Sequence, residues 1–207
     1  MTGFDAGAAS LYWKEQHRHA ESKDALMTAQ VQTESFATTP HRIVLTGFMG
    51  SGKTTVGPLV AARLGWKFLD VDDVIEAEAG MTIAEIFARH GEAAFREREH
   101  AAIAHLAETD GLVLALGGGA IEHSATRTLL LTTPGTLLVH LQIELATTLK
   151  RCSGTEQTRP VLADQVNLAS RYERRLPLYR EAHVSIPADA LSPEQVVEAI
   201  LEAVGLG

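Results

Sequence analysis

The sequence predicts an α/β domain in which helices cover both faces of a parallel β-sheet. Short apolar runs of strand length alternate along the chain with segments of helical pattern, and this alternation is typical of βαβ units. The strands are mostly apolar, as expected for a sheet that is covered on both faces. Ligands of such sheets bind beyond the carboxyl ends of the strands, so residues that follow each strand are the first candidates for a functional site.

The chain is long enough for one ordinary domain of this class. It has 207 residues, and 45% of them are hydrophobic, which suffices to fill a core. Residues 1–40 are polar and lack the apolar core of a signal peptide. We expect them to be an N-terminal extension that is mobile or lies on the surface as a helix; a dimerisation or regulatory arm is the alternative. The domain itself is expected to occupy residues 41–207.

The charge balance excludes several classes of partner. The formal net charge is -8, from 18 basic and 26 acidic residues, and such a chain offers no electrostatic footprint for nucleic acid. No apolar run has the length needed to cross a bilayer. Cys152 is the only cysteine, so an intrachain disulfide is impossible, which fits a reducing cytoplasm. An anionic ligand would have to be held by a few local cations and backbone amides.

Five strands are predicted from short apolar runs, over residues 42–46, 66–69, 112–116, 136–141 and 183–186. The first strand runs into a glycine-rich turn, and the second ends at Asp70. The third ends at a run of three glycines, residues 117–119. All three strands thus place chemically distinctive residues at the carboxyl edge of the sheet.

The helices are predicted from apolar periodicity and from their end signals. In chain order they are Lys53–Leu64, residues 73–79, a segment that begins at Thr82, residues 92–108 and a segment that begins at Ser192. Thr82 with Glu85 and Ser192 with Gln195 have the spacing of capping boxes.

The turn after the first strand matches the Walker A pattern G-x-x-x-x-G-K-T over residues 47–54. Its glycines permit a backbone that directs successive amides at an anion, and the helix that follows adds its positive end. Lys53 can reach the β- and γ-phosphates of a nucleotide, and the Thr54 hydroxyl can bind Mg²⁺. Chance matches are common, but this one follows a strand and opens a helix, so we interpret it as a nucleotide site.

Asp70 and Asp72 follow the second strand. On an extended backbone, carboxylates two residues apart point the same way. One could hold a water of the Mg²⁺ shell, while the other accepts hydrogen bonds from substrate hydroxyls. A helix cap, by Asp72 or Asp73, explains the pair equally well by itself. The neighbouring Walker A loop favours the functional interpretation.

Arg96, Arg159 and Arg175 are candidate anion-binding residues, because a guanidinium binds carboxylate or phosphate through paired hydrogen bonds. Spacing alone does not show that they converge, and a solvated surface charge is the alternative for each. The glycine triplet after the third strand would let a ligand approach the backbone closely. Three glycines exceed what a tight turn needs, which favours a function.

Together these residues resemble shikimate kinase, a family of the nucleoside-monophosphate-kinase-like P-loop group. The similarity covers about residues 42–204. It is specific because several matching segments occur together in the order and spacing of that family. They are residues 47–57, 68–72, 86–87, 91–92, 95–96, 116–119, 159–162 and 175–179. The resemblance implies a three-layer P-loop kinase fold with a five-stranded parallel sheet in the order 2-3-1-4-5, flanked by helices, and a mobile lid.

The resemblance also implies ATP as phosphoryl donor and the 3-hydroxyl of shikimate as acceptor. The implied ATP-binding residues are Gly47, Met49, Gly50, Ser51, Gly52, Lys53, Thr54, Thr55, Arg151 and Arg159. Thr54 and Asp70 would serve Mg²⁺. The implied substrate-binding residues are Asp72, Arg96, Gly117, Gly118, Gly119 and Arg175, with the carboxylate held by Arg96, Arg175 and the amides of Gly118 and Gly119. Of these residues, the implied catalytic ones are Lys53, Asp72 as base and Arg159, which lies on the lid.

Three alternatives remain at this point. A gluconate kinase shares the Walker A loop but is expected to lack the Phe95-Arg96 and glycine-triplet segments. A nucleoside monophosphate kinase is a weaker alternative, because the two arginines and Asp72 suit a polyhydroxy acid better than a nucleobase. A nucleotide-binding regulatory module without catalysis would not be expected to keep Lys53 and Arg159. A monomer in the cytoplasm is expected, with no nucleic-acid or membrane partner.

Overall fold

Five parallel strands form the centre of the domain in the computed structural model, which describes residues 39–153 and 165–205. The strands are β1 (Arg42–Thr46), β2 (Lys67–Asp70), β3 (Leu112–Ala115), β4 (Thr136–Gln142) and β5 (Val184–Pro187). Their order is β2-β3-β1-β4-β5, and each neighbouring pair is parallel. The predicted sheet and its order are confirmed, with strand ends within one residue of the predicted bounds.

Seven α-helices accompany these strands in the described residues. They are α1 (Lys53–Leu64), α2 (Val71–Ala79), α3 (Ile83–Leu106), α4 (Ser124–Thr132), α5 (Leu145–Cys152), α6 (Gln165–Tyr179) and α7 (Pro193–Ala203). A short 3₁₀ helix (Ala120–Glu122) follows the glycine triplet. None of the described helices combines the length and apolarity that a membrane span requires.

The core has two halves, one on each face of the sheet. Ile43 and Leu45 of β1 belong to the apolar cluster that includes α1 and α7. Val44, between them, belongs to the opposite cluster, which includes α2, α3, α4 and α6. This alternation follows from the two-residue period of a strand and makes the predicted three-layer architecture.

Local signals predicted the helix ends well where capping residues are present. Thr82 and Ser192 both form the predicted capping boxes. The segments predicted from Thr82 and over residues 92–108 form one helix, α3, in which Gly91 has a non-helical backbone (φ 79°). Since only glycine adopts this conformation readily, Gly91 marks the boundary between the two predicted segments.

The prediction of an extended Asp70–Asp72 pair was wrong. Helix α2 begins at Val71, two residues earlier than predicted, so Asp72 lies in its first turn. Asp70 is the N-cap, and its Oδ1 accepts a hydrogen bond from the Asp72 amide at 3.0 Å. The cap is therefore neither Asp72 nor Asp73. An aspartate at this position satisfies an amide that the helix leaves without a partner.

Candidate active site

The carboxyl ends of β1, β2 and β3 open onto a cleft of ≈ 890 Å³. A volume of this size suits a small-molecule site. Its walls include the Walker A loop, both aspartates, Arg96, the glycine triplet, Arg151 and Arg175. Among the predicted site residues that the structure describes, Gly47 does not line the cleft. Arg159 and residues 154–158 of the predicted lid stretch lie outside the described residues.

The Walker A loop depends on glycine for both its backbone angles and its space. Gly47, Gly50 and Gly52 have φ angles of 145°, 76° and 97°. A Cβ at Gly47 would lie 2.6 Å from the carbonyl oxygen of Leu141, and one at Gly50 would lie 2.9 Å from Sγ of Cys152. A larger residue at either position would therefore push the loop away from β4 or from α5.

Lys53 begins α1 and turns back across the loop that precedes it. Its Nζ donates to the carbonyl oxygens of Gly47 at 2.8 Å and Phe48 at 3.3 Å. The side chain thus holds the loop closed, and its charge lies at the part of the cleft that the loop lines. A phosphate entering this space would meet a cation, backbone amides and the positive end of α1.

Helix α5 supports the other side of the loop. Thr148 Oγ1 donates to the carbonyl oxygen of Met49 at 3.2 Å. Arg151 Nη1 donates to the carbonyl oxygen of Gly50 at 3.2 Å, and its Nη2 donates to that of Ala188 at 2.9 Å. Arg151 therefore ties the loop to the segment after β5, at an exposed edge of the cleft.

Asp70 and Asp72 lie in the cleft close to Lys53. Burial raises the pKa of Asp70, against the opposing charge of Lys53 and the hydrogen bond from the Asp72 amide. Burial also raises the pKa of Asp72 to about 6, helped by the charge of Asp70 and opposed by Lys53 and Arg96. Asp72 is thus mostly deprotonated at neutral pH and able to accept a proton from a hydroxyl.

Thr54 and Asp70 fit the chemistry of a magnesium site. Thr54 is exposed at the start of α1, Asp70 ends β2, and both line the cleft. Mg²⁺ prefers oxygen ligands and is commonly held by one or two protein groups together with substrate phosphates and water. A hydroxyl and a carboxylate beside a phosphate-binding loop are such a set.

Arg96 is held in the cleft by glutamates of its own helix. Its Nη1 donates to Glu99 Oε2 at 2.6 Å, and its Nη2 lies 3.3 Å from Glu92 Oε1. Glu99 is only 1% exposed, and burial raises its pKa to about 7, although Arg96 opposes this shift. Among the described residues, no group donates to the other oxygen of Glu99, Oε1.

Arg175 is held by a glutamate from the 3₁₀ helix. Its Nε donates to Glu122 Oε2 at 2.8 Å, and its Nη2 lies 2.7 Å from the same oxygen in an ion pair. The other oxygen, Oε1, accepts from Nε of Arg174 at 2.8 Å. Burial by itself would raise the pKa of Glu122, but the hydrogen bonds from Arg174 and Arg175 outweigh it and lower the pKa. Glu122 is therefore a stable carboxylate anchor.

The glycine triplet passes between these charged groups. A Cβ at Gly117 would lie 2.9 Å from Asp72 Oδ1 and 3.0 Å from Glu99 Oε1. A Cβ at Gly119 would lie 2.8 Å from Cζ of Arg96. Because glycine has no side chain, the backbone can pass directly over Asp72, Glu99 and Arg96. This is the close backbone approach that the glycine triplet predicted.

Tyr179 fixes the middle of the triplet. Its hydroxyl donates to the carbonyl oxygen of Gly118 at 2.6 Å. The Tyr179 ring stacks on His140, with 5.2 Å between centroids and 17° between planes. Burial lowers the pKa of His140 to about 4, so its ring is neutral at physiological pH. The hydrogen bond fixes the orientation of the peptide plane that joins Gly118 and Gly119.

Three residues that orient the predicted site were not predicted from the sequence. Glu99 follows Arg96 by three positions on one helix, a spacing that often pairs charges, so a local signal existed. Glu122 and Tyr179 carried no such signal, because their partners lie 53 and 61 positions away. These contacts exist only once the sheet has brought the glycine triplet beside α6.

Comparisons with known proteins agree with the geometry. The family model described as shikimate kinase matches residues 49–205. A shikimate kinase of Streptomyces avermitilis is 45% identical over 174 residues, which are 81% of this chain and 98% of that protein. One of Salinibacter ruber is 40% identical over 192 residues, 87% of this chain and 93% of that protein. The solved structure of shikimate kinase from Acinetobacter baumannii in complex with shikimate has a TM-score of 0.74 and 36% identity, covering 83% of this chain and 96% of that one.

Proposed function

This chain belongs to the shikimate kinase family, and we propose that its cleft transfers the γ-phosphoryl group of ATP to the 3-hydroxyl of shikimate. One observation carries the choice of acceptor. Arg96 and Arg175, from different helices, line the same cleft as Asp72 and the Walker A loop. A small hydroxy acid needs this combination, because its carboxylate requires cations while its hydroxyl requires a base near the phosphate.

The nucleotide end of the cleft holds and neutralises the phosphates. Lys53 and the loop amides bind the β- and γ-phosphates, and Arg151 lies beside the base. Mg²⁺, held through Thr54 and Asp70, would supply charge neutralisation when bound. In phosphoryl transfer the protein contributes mainly position and charge stabilisation, so these groups provide most of what the reaction needs.

The acceptor end orients the hydroxyl and receives its proton. Asp72 accepts a hydrogen bond from the 3-hydroxyl and takes the proton as the oxygen bonds to phosphorus. The carboxylate of the substrate lies between Arg96 and Arg175 and accepts from the amides of Gly118 and Gly119. Binding at two ends fixes the hydroxyl in line with the γ-phosphorus.

Arg159 belongs to this proposal on the family resemblance alone. On a lid, its guanidinium would add charge to the transferring group, and closure would exclude the water that otherwise hydrolyses ATP. The division into an extension, residues 1–40, and a kinase domain, residues 41–207, is likewise proposed. So are a monomeric state and a cytoplasmic location, the latter from the single cysteine, Cys152.

The test is a coupled assay of ADP release with ATP and Mg²⁺, run with shikimate, with gluconate and with neither. We expect release that depends on shikimate. Release with gluconate and not with shikimate would keep the kinase class and refute the acceptor. No stimulated release from folded protein that binds ATP would refute the catalytic proposal and favour a regulatory module.

A further inference from the structure

The anchor of Arg175 is a separate feature of this cleft. Glu122 offers one oxygen to both Nε and Nη2 of Arg175, at 2.8 and 2.7 Å. The Arg175 side chain is 7% exposed and that of Glu122 is 24% exposed. Arg175 lines the cleft, whereas Glu122 is not among its lining residues. Glu122 therefore binds the edge of the Arg175 guanidinium that is turned away from the cleft.

The remaining nitrogen of Arg175 faces the glycine triplet. A Cβ built on Gly118 would lie 3.6 Å from Nη1 of Arg175, an ordinary contact distance. Nη1 is thus the nitrogen of Arg175 that lies nearest to the space over Gly118, where the Tyr179 hydroxyl is also 3.6 Å from the same Cβ position. An arginine side chain has many rotamers, and a carboxylate that fixes two of its nitrogens removes most of that freedom before a ligand arrives.

We propose that Glu122 is a positioning residue for the substrate carboxylate, which holds Arg175 so that Nη1 meets the ligand over Gly118. The inference deepens the proposed function and rests on it. Arg175 binds the substrate carboxylate equally in the ground state and in the transition state. Loss of its positioning should therefore raise KM for shikimate and leave kcat nearly unchanged.

The charge of Glu122 could also act in the opposite direction, by competing with the substrate for Arg175. Arg174 limits that competition. Its Nε donates to the other oxygen of Glu122 at 2.8 Å, so Glu122 and Arg174 form a pair without net charge. Removing both residues together keeps the local net charge as it is and removes the anchor. Orientation and charge are thereby separated.

The decisive variant is Glu122→Met/Arg174→Met, which has no acceptor behind Arg175. We expect KM for shikimate to rise about tenfold, which is the loss expected when the charge-assisted hydrogen bond from Arg175 to the substrate carboxylate is weakened. We expect kcat to change by less than about threefold and KM for ATP to stay the same. Arg63→Met/Glu198→Met removes an exposed ion pair between α1 and α7 and serves as matched control. Its KM for shikimate should equal that of the wild type.

A conservative variant keeps the proposal testable if the double Met variant does not fold. Glu122→Gln/Arg174→Met retains one acceptor oxygen and the length of the side chain, and its KM for shikimate should lie between those of the wild type and the double Met variant. An unchanged or lowered KM for shikimate in folded variants would overturn the proposal. An equal rise in KM for shikimate and for ATP would overturn it as well, since that is the mark of a general structural effect. A wild type without shikimate-dependent turnover would instead refute the proposed function itself.

Discussion

Gly119→Ala probes whether the backbone must pass directly over Arg96. The φ angle of Gly119 is -97°, so alanine is compatible with the backbone and any effect arises from the added Cβ. That Cβ would lie 2.8 Å from Cζ of Arg96. Carbon atoms in contact are about 3.5 Å apart or more, so Cζ would have to retreat by at least about 0.7 Å, and Nη2, which lies closer to the added Cβ than Cζ does, by more.

Such a retreat would weaken the contact between Arg96 and Glu99, which is 2.6 Å long before the substitution. A hydrogen bond to a charged group contributes about 1.5–3 kcal/mol. If the substrate carboxylate needs Arg96 in its present position, KM for shikimate should rise about 10- to 100-fold. The same loss would lower the midpoint of thermal unfolding by about 3–12 °C for a domain of this size.

Steady-state kinetics and thermal unfolding measure the two effects. Gly118→Ala is the matched control for stability, since the nearest atoms to a Cβ there are 3.6 Å away. Its unfolding midpoint should stay close to that of the wild type. Because Gly119→Ala acts through Arg96, the double variant with Arg96→Ala should have the same KM as Arg96→Ala alone. An additive rise in KM, or a Gly119→Ala variant with wild-type KM and unfolding midpoint, would refute this reasoning.

Three further predictions concern the charged groups of the cleft. Lys53→Met should lower kcat at least about 10³-fold, since the transferring phosphoryl group loses its cation and the loop loses the bond to Gly47; residual turnover within tenfold of wild type would contradict this. kcat/KM for shikimate should fall as the pH falls through about 6, because protonated Asp72 cannot accept the hydroxyl proton; a pH profile that stays flat from 7 to 5 would exclude Asp72 as the base. Glu99 has a folded pKa of about 7, above its ordinary value of 4.5, so the folded state binds the extra proton and stability falls as the pH rises through this window. Glutamine does not titrate, so the unfolding free energy of Glu99→Gln minus that of the wild type should increase by about 3 kcal/mol from pH 4.5 to pH 8. Denaturant titrations in which this difference does not change with pH would disprove the shift.

The elements that could be predicted from the sequence are those with local determinants. A strand, glycines with positive φ and the start of a helix all lie within residues 42–54, around the Walker A loop. The helices with capping boxes at Thr82 and Ser192 likewise carry their end signals in four consecutive residues. In these segments the backbone geometry is imposed by nearest neighbours, so pattern and structure coincide.

Helices α4, α5 and α6 were not predicted, and the reason is the absence of those local signals. The N-caps of α4 and α5, His123 and Glu144, make no side-chain cap hydrogen bond. Helix α6 contains Pro177, a residue that ordinarily argues against a helix interior. These helices are stabilised by packing on the sheet, as Leu130 of α4 and Tyr179 of α6 in the buried cluster indicate.

The charges of the acceptor end explain how an acidic protein can hold an acidic metabolite. Arg96, Arg174 and Arg175 lie in contact with the carboxylates of Glu99 and Glu122. Together with Glu92 and Asp72, these carboxylates offset the charges of the three arginines, so long-range attraction to an anion is small. Burial raises the pKa of Glu99 to about 7, so at neutral pH this carboxyl offsets the charge of Arg96 less than an ordinary glutamate would. Selection of the substrate therefore depends on the fixed geometry of Arg96 and Arg175, which Glu99 and Glu122 hold in place.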